Sequence, residues 1–210
     1  MAHTAEEIER AKQSPSFERE YNLKYLRKIG NVFHTKDIEA TIEKGRKYNP
    51  DDIITFTSTS MGIDPAYGSS AFGIVVTQWA NGIVQIMHAE ECHRPDYNEM
   101  LSLVYDLMSK YQVDKAYIDG ANPSFIKSVK IQIGEDADYD KVIARYRSEG
   151  WGDEAALNDM KIVPVNFNKE HEAMLGHCKM IMENEGGRIA INPDRFDKLI
   201  TALMLIMMVY

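Results

Sequence analysis

The spacing of apolar residues along the chain changes near residue 50. Before that point, apolar side chains recur at positions 17, 21, 25 and 29 among mostly polar neighbours, which is close to the helical repeat. The turn-forming cluster NPDD at 49–52 then interrupts the pattern. We therefore expect a helical linker or N-terminal extension over residues 1–50 and a separate domain over residues 51–210.

Residues 53–89 have the pattern of three short strands. A run rich in Ile, Thr and Ser at 53–64 predicts the first strand, and the apolar stretches at 71–79 and 83–89 predict two more. Between the last two, Ala80-Asn81-Gly82 carries the Asn-Gly signal of a tight hairpin. The three strands are therefore expected to form an antiparallel meander.

The rest of the chain alternates helices with short strands. The expected elements are a helix at 96–111, a strand at 115–119, a helix at 122–131, a strand at 161–165, a helix at 169–185 and a last helix after Asn192-Pro193. Pro164 favours an edge position for the strand that contains it. The charged, glycine-flanked stretch 134–152 is expected to be an irregular insertion. The expected fold is α/β, with a mixed central sheet of about five to six strands, a meander followed by parallel strands, flanked by helices.

Composition narrows the classes of function only a little. Of the 210 residues, 44% are hydrophobic and 27% are charged, as in ordinary globular proteins. The two cysteines lie far apart at 92 and 178, which fits a reducing, cytoplasmic setting. A net charge of −8 argues against a simple basic nucleic-acid-binding protein. The longest apolar run, 199–210, is shorter than the roughly 20 residues of a membrane helix, so no membrane association is expected.

Two aspartates end predicted inner strands. Asp64 closes the first strand before Pro65, and Asp119 closes the fourth before Gly120. A strand that returns through a helix after a meander commonly pairs in parallel beside the first strand, so the two carboxylates are expected side by side. A divalent cation would relieve their repulsion, because hard cations bind carboxylate oxygens. An aspartate before proline or glycine is also a common turn former, so each residue alone admits both interpretations.

A third acid near the start of the last helix would complete a two-metal site. Asp194 and Asp197 are the candidates, because a spacing of three residues puts both on one helical face. Two metals about 3.5–4 Å apart can activate a water and stabilise the leaving oxygen in phosphodiester cleavage. Asp194 is also a natural first-turn charge that complements the helix dipole. Glu90 and Glu91, after the third strand, are a further candidate pair or simply a solvated strand end.

Four stretches of the chain carry a family resemblance. They are SFEREY at 16–21 with GNVF at 30–33, MGIDPA at 61–66 followed by AFGIVV at 71–76, YIDG at 117–120, and FDKLITAL at 196–203. Over about residues 16–210, the chain resembles the C-terminal nuclease domain of the large terminase subunit of tailed viruses. This resemblance implies a ribonuclease-H-like nuclease domain over residues 51–210.

The resemblance also implies an activity and its ligands. The implied activity is a DNA endonuclease dependent on two Mg²⁺ or Mn²⁺ ions, which cuts concatemeric double-stranded viral DNA at the start and end of packaging. Asp64 and Asp119 match the first two catalytic metal ligands of the family, and Asp197 matches the first Asp of its closing motif. The usual His-Asp-Asp of that motif is here Phe-Asp-Lys, which leaves Asp194 as an alternative third ligand.

The resemblance further implies partners that this chain does not contain. There is no GxxxxGKS/T phosphate-binding loop, so the ATPase domain of a terminase is absent from the chain. The implied partners are double-stranded DNA, that ATPase domain, a small terminase subunit and a portal, in the cytoplasm of the host cell.

Four basic residues beyond the predicted strand ends are the candidates for contact with DNA. Lys127 and Lys130 lie on one predicted helix, and Lys169 and His171 open another. Such cations would meet the phosphate backbone, which dominates nucleic-acid affinity. Acidic residues at 135–140 oppose this, so weak binding by the isolated chain is expected.

Two alternative functions stay open. One is another ribonuclease-H-like nuclease, such as a junction resolvase or transposase core; the stretch 16–40 favours the terminase interpretation over it. The other is a non-catalytic packaging or assembly module of the same fold, in which Phe196-Asp197-Lys198 would be a decayed site. A zinc site is not expected, since His88, Cys92 and His93 match no closed tetrahedral spacing.

Overall fold

The computed structural model describes residues 32–55, 57–65, 71–183 and 187–205. Its strands are β1 (Thr59–Asp64), β2 (Ala71–Ala80), β3 (Ile83–His93), β4 (Lys115–Asp119), β5 (Ile162–Val165) and β6 (Ile189–Ala190). Its helices are α1 (Thr35–Gly45), α2 (Tyr97–Lys110), α3 (Pro123–Ile133), α4 (Tyr139–Ser148), α5 (Gly152–Asp159), α6 (Phe167–Glu183) and α7 (Asp197–Leu205). The predicted helical stripe at 17–29 lies outside the described residues.

One six-stranded mixed sheet organises these elements, in the order β5-β4-β1-β2-β3-β6. Strands β1, β2 and β3 pair antiparallel, while β4 is parallel to β1, β5 to β4 and β6 to β3. The predicted meander, the parallel pairing of the first and fourth strands and the edge position of β5 are therefore confirmed.

The hairpin between β2 and β3 follows from its two central residues. Asn81 and Gly82 have φ of 52° and 78°. Positive φ at both positions is the backbone of the tight turn whose twist matches that of paired strands, and Asn-Gly adopts it at little cost. The predicted hairpin is confirmed.

Two apolar cores cover the two faces of the sheet. The first core joins the inward side chains of β1 and β4 to α2 and α3, and includes Met61, Ile63, Ala116, Ile118 and Phe125. The second core lies on the other face, where the sheet meets α1, α6 and α7; it includes Phe33, Ile38, Ile86, Met182 and Ile200. Alternation along β1 sends Met61 and Ile63 into the first core and turns Gly62 and Asp64 toward the second.

Helix α1 is attached to the sheet through β6 and the residues after it. The Tyr48 hydroxyl donates to the carbonyl oxygens of Ile86 (2.7 Å) and Ala190 (3.1 Å). Asn192 in turn donates from its side chain to the Tyr48 carbonyl at 3.0 Å. The segment before Tyr48 thus packs in the second core, and Tyr48 itself packs against the first; the domain boundary near residue 50 stays a prediction.

The stretch 134–152 is not irregular, which corrects the sequence-based expectation. It contains α4 and leads directly into α5, and the two helices bury Val142, Ile143 and Ala156 together with Met160. Each helix contributes only one or two buried positions, so the apolar repeat is too short to stand out among the charges. Arg147 of α4 also forms an ion pair with Asp153 of α5 at 2.5 Å.

The last helix begins later than Asn192-Pro193 predicts. The Asn192 side chain accepts the Asp194 N–H at 3.0 Å, and its carbonyl accepts the Phe196 N–H at 3.0 Å. These bonds close a turn over residues 192–196, so α7 starts at Asp197. Asp194 therefore precedes the helix, and the expectation that it shares a helical face with Asp197 is wrong.

Across the described ranges, every helix is too short or too polar to cross a membrane.

Gly45 and Gly176 provide a matched test of this packing. A Cβ on Gly45, at the end of α1, would overlap the backbone carbonyl of Ile191, whereas a Cβ on Gly176 of α6 would meet nothing within 4 Å. We expect Gly45→Ala to lower the free energy of unfolding by about 1–3 kcal/mol through overpacking. Gly176→Ala should raise it by up to about 1 kcal/mol, since alanine favours a helix. Urea denaturation measures both changes, and equal midpoints for the two variants would contradict the close packing at Gly45.

Candidate functional site

Asp64 and Asp119 lie side by side at the carboxyl ends of two central, parallel strands. The register pairs Ile63 of β1 with Ile118 of β4, so the next residue of each strand is an aspartate. Because Ile63 and Ile118 point into the first core, both carboxyl groups extend from the opposite face. The predicted adjacency of the two acids is confirmed as geometry.

The two carboxyl groups influence each other electrostatically. Partial burial is the larger cause that raises the pKa of Asp64, and the negative charge of Asp119 is the second. Asp119 accepts the Ala121 N–H at 3.2 Å, which holds its side chain at the start of the following turn. The two carboxylates are hard oxygen ligands that repel each other, and a positive charge beside them would relieve this repulsion.

Glycine leaves room on the β2 side of Asp64. Asp64 pairs with Gly73 of β2, and Gly73 pairs with Glu91 of β3. A Cβ on Gly73 would approach the Asp64 Cβ at 3.8 Å, an ordinary contact. Glu91 therefore belongs to the same cross-strand row as Asp64. Its side chain is exposed, and its carboxylate lies 3.9 Å from the His93 ring nitrogen.

Among the residues that the structure describes, no third acid joins this pair. Asp197 is the first residue of α7 and Asp194 lies in the turn before it; both are exposed. Helix α7 packs through Phe196 and Ile200 in the second core, hence on the same face of the sheet as Asp64. Within the described part of the chain, no three His, Cys, Asp or Glu side chains are grouped to hold a metal ion. The third ligand stays a prediction.

Lys130 is misassigned as a DNA contact. Its side chain is 0% exposed, and its Nζ has no hydrogen-bond partner among the described residues. The Nζ lies 5.7 Å from the centroid of the Tyr139 ring, within reach of a cation–π interaction. Position 130 follows buried Ile126 by four residues, so the helical repeat already placed it on the inner face of α3. Lys127, Lys169 and His171 are exposed, as DNA contact would require.

A groove of about 390 Å³ opens next to the carboxylate pair. Its floor is the same face of the sheet, and Glu170 and Met174, four residues apart on α6, line its side. The sheet residues that line it are Ser60, Met61, Gly62, Thr77, Tyr117 and Val165. Glu170 is not among the predicted site residues, which on this helix are Lys169 and His171 beside it. Its i, i+4 spacing from the apolar Met174 is the signal in the sequence that points to a shared helical face.

Comparison with known proteins gives matches only at the level of structure. No protein-family model matches the sequence, and no curated protein matches it. The large terminase nuclease of the thermophilic phage G20c is similar with a TM-score of 0.57 and 11% identity, over 84% of this chain and 81% of that one. The same nuclease with bound magnesium gives 0.52 and 12%, over 88% and 90%.

A longer protein shares the same fold. The large terminase of a second thermophilic bacteriophage is similar with a TM-score of 0.53 and 11% identity, over 98% of this chain. The match covers 45% of that protein, so this chain spans less than half of its length. The predicted fold is thereby confirmed: the chain has the ribonuclease-H-like fold of large terminase nucleases, a mixed sheet with flanking helices.

Proposed function

We propose that this chain is a metal-dependent DNA endonuclease of the terminase type, which cuts double-stranded viral DNA during genome packaging. The observation that carries the proposal is the pair Asp64 and Asp119 at the centre of a sheet with the fold of large terminase nucleases. Turn formation alone explains one aspartate at the end of a strand. It does not explain two on adjacent strands, where burial and the charge of Asp119 raise the pKa of Asp64.

The carboxylate pair fits a divalent cation by its donor chemistry. Mg²⁺ and Mn²⁺ prefer oxygen ligands, and a cation between Asp64 and Asp119 would remove the repulsion that they experience. Asp197, or Asp194 in its place, would complete the ligand set for two ions. When bound, the ions would activate a water and stabilise the leaving oxygen of the phosphodiester.

The protein's own residues would hold and orient the DNA. Asp64 and Asp119 stand on hydrogen-bonded strands, so their positions are set by the sheet rather than by mobile loops. Lys127, Lys169 and His171 are exposed cations that would contact the phosphate backbone. Because the net charge is −8, most of the affinity for DNA would come from partners: an ATPase domain, a small terminase subunit and a portal, in the host cytoplasm.

The proposal is tested by cutting of plasmid DNA with Mn²⁺ or Mg²⁺. We expect Asp64→Ala and Asp119→Ala each to lower the rate by at least about 100-fold, because loss of a mere outer-shell partner of a metal already costs about 10–100-fold. Asp106→Ala is the matched control, since Asp106 is an exposed acid on α2, which covers the other face of the sheet.

Two results would contradict the proposal. If the wild-type chain cuts no DNA with either metal, the chain is not a nuclease by itself, and the assembly-module alternative gains support. If it cuts DNA but the two aspartate variants behave like Asp106→Ala, the nuclease site lies elsewhere.

The third ligand is tested by separate Asp197→Ala and Asp194→Ala variants in the same assay. We expect Asp197→Ala to lose activity to a degree comparable with Asp64→Ala, and Asp194→Ala to retain most of it. The physical reason is position: Asp197 opens α7, while Asp194 lies in the preceding turn. A reversed order would assign the ligand to Asp194, and full activity in both variants would exclude both residues.

Thermal melting with and without Mn²⁺ tests the carboxylate pair independently of DNA. Since folding raises the pKa of Asp64, its protonated form stabilises the fold at low pH, and that stability is lost as the pH rises through the folded-state pKa. At pH 7 without metal, Asp64→Asn should therefore melt a few degrees above wild type, and the difference should shrink as the pH falls. Mn²⁺ should raise the melting temperature of wild type but not of the variant. A variant that melts below wild type, or responds equally to Mn²⁺, would contradict the metal site.

A further inference from the structure

Gly62 lies in the interior of β1, where the backbone conformation does not require a glycine. It has an ordinary strand conformation, and a Cβ at this position would meet no described atom within 4 Å. A glycine inside a strand weakens it, and commonly marks a place where a ligand or another backbone approaches closely. Among the described residues no backbone does so here, so the open space beside Gly62 is a candidate place for a ligand.

The missing side chain leaves open space at one of the residues that line the groove. In the cross-strand row on this face, Gly62 lies between Val75 of β2 and Tyr117 of β4. The Tyr117 ring is 42% exposed, large for an aromatic side chain on a central strand. A flat aromatic surface therefore borders an open position, with Met174 of α6 beside them.

The lining of the groove selects the uncharged part of a ligand. Among the described residues that line it, the side chains are apolar or hydroxyl-bearing except that of Glu170, whose carboxylate repels a phosphate. A sugar ring or a base fits this chemistry, and a base stacks on an aromatic side chain whatever its identity.

The groove begins where the carboxylate pair ends. Gly62 precedes Asp64 by two residues on β1, and Tyr117 precedes Asp119 by two on β4, on the same face. Two residues of strand span about 6.6 Å. A DNA strand whose phosphodiester is held at the carboxylates would thus have the sugar of its neighbouring nucleotide over Gly62, and the base over Tyr117 once that base has left the duplex stack.

We infer that this groove binds the sugar and the unstacked base of the nucleotide next to the scissile phosphodiester. The base would stack on Tyr117, and the absence of a side chain at Gly62 would leave room for the nucleotide. This inference rests on the proposed nuclease function and specifies which part of the DNA substrate the groove binds. Tyr117 is then a positioning residue for the DNA strand and takes no part in proton transfer or metal binding.

The first test fills the groove in one variant and removes its aromatic side chain in another. Gly62→Val places a side chain into open space and suits a strand, so the fold should be kept, as a melting temperature at or above that of wild type would verify. Tyr117→Ala removes the stacking surface. The matched control is Tyr105→Ala, because Tyr105 is a similarly exposed tyrosine (44%) on α2, which covers the other face. With Mn²⁺ and plasmid DNA, Gly62→Val and Tyr117→Ala should raise KM about tenfold with kcat within about twofold, and Tyr105→Ala should leave both unchanged.

The second test measures binding of an oligonucleotide in the groove by NMR and does not depend on DNA cutting. In protein carrying ¹³C-methyl methionine, a short oligothymidylate added with Mg²⁺ should shift the Met174 methyl signal. The signal of Met180, an exposed residue of the same helix that does not line the groove, should stay in place. Gly62→Val and Tyr117→Ala should abolish the Met174 shift.

The outcomes separate this inference from the proposed function. If the wild type cuts DNA but both groove variants keep the wild-type KM, or the oligothymidylate leaves Met174 unmoved, the groove inference is wrong while the nuclease stands. If the wild type never cuts but Met174 shifts, the groove binds a nucleotide, but the nuclease proposal and the placement of that nucleotide next to a scissile phosphodiester are both wrong. A lower melting temperature of Gly62→Val, with oligothymidylate binding unchanged, would show that another segment of this chain fills the groove, and would overturn the inference.

Discussion

The parallel register of β1 and β4 is the constraint on which the candidate site depends. Pairing Ile63 with Ile118 sends both side chains into the first core. Since strand side chains alternate, the following residues, Asp64 and Asp119, must face the other way and lie together. A slip of one residue in either strand would move its apolar side chains out of the core. The burial that stabilises the sheet is thus also what sets the distance between the two carboxylates.

Much of this arrangement is predictable from the sequence because it follows from short-range patterns. Alternation within β1 and β4, the Asn81-Gly82 turn and a helix between β3 and β4 leave few ways to connect the strands, and the common one places the acids side by side. The position of α7 cannot be predicted in this way. It depends on β6, a strand of two residues, and on hydrogen bonds of Asn192, and neither feature produces a periodic pattern in the sequence.

The differences between prediction and structure have one physical origin: position in the helical repeat decides burial more than residue type does. Lys130 is predicted at the surface as a lysine, but its spacing from Ile126 places it on the buried face of α3. In α4 and α5, a few apolar residues among many charges are enough to form a small core. Glu170 lines the groove with Met174, although the predicted contacts on this helix are its basic neighbours. Helical periodicity is the stronger guide in each case.

The chain's acidity bears on how such a site would recognise DNA. Phosphate contacts provide most nucleic-acid affinity through counterion release, and a chain with a net charge of −8 has little of that to offer. A cation held by Asp64 and Asp119 would be the principal positive charge facing the strand. The remaining recognition must then use uncharged parts of the nucleotide, and Tyr117 beside Gly62 provides a surface suited to any base. Recognition of this kind would be independent of sequence, so under the proposed function the choice of where to cut would come from the proposed partners.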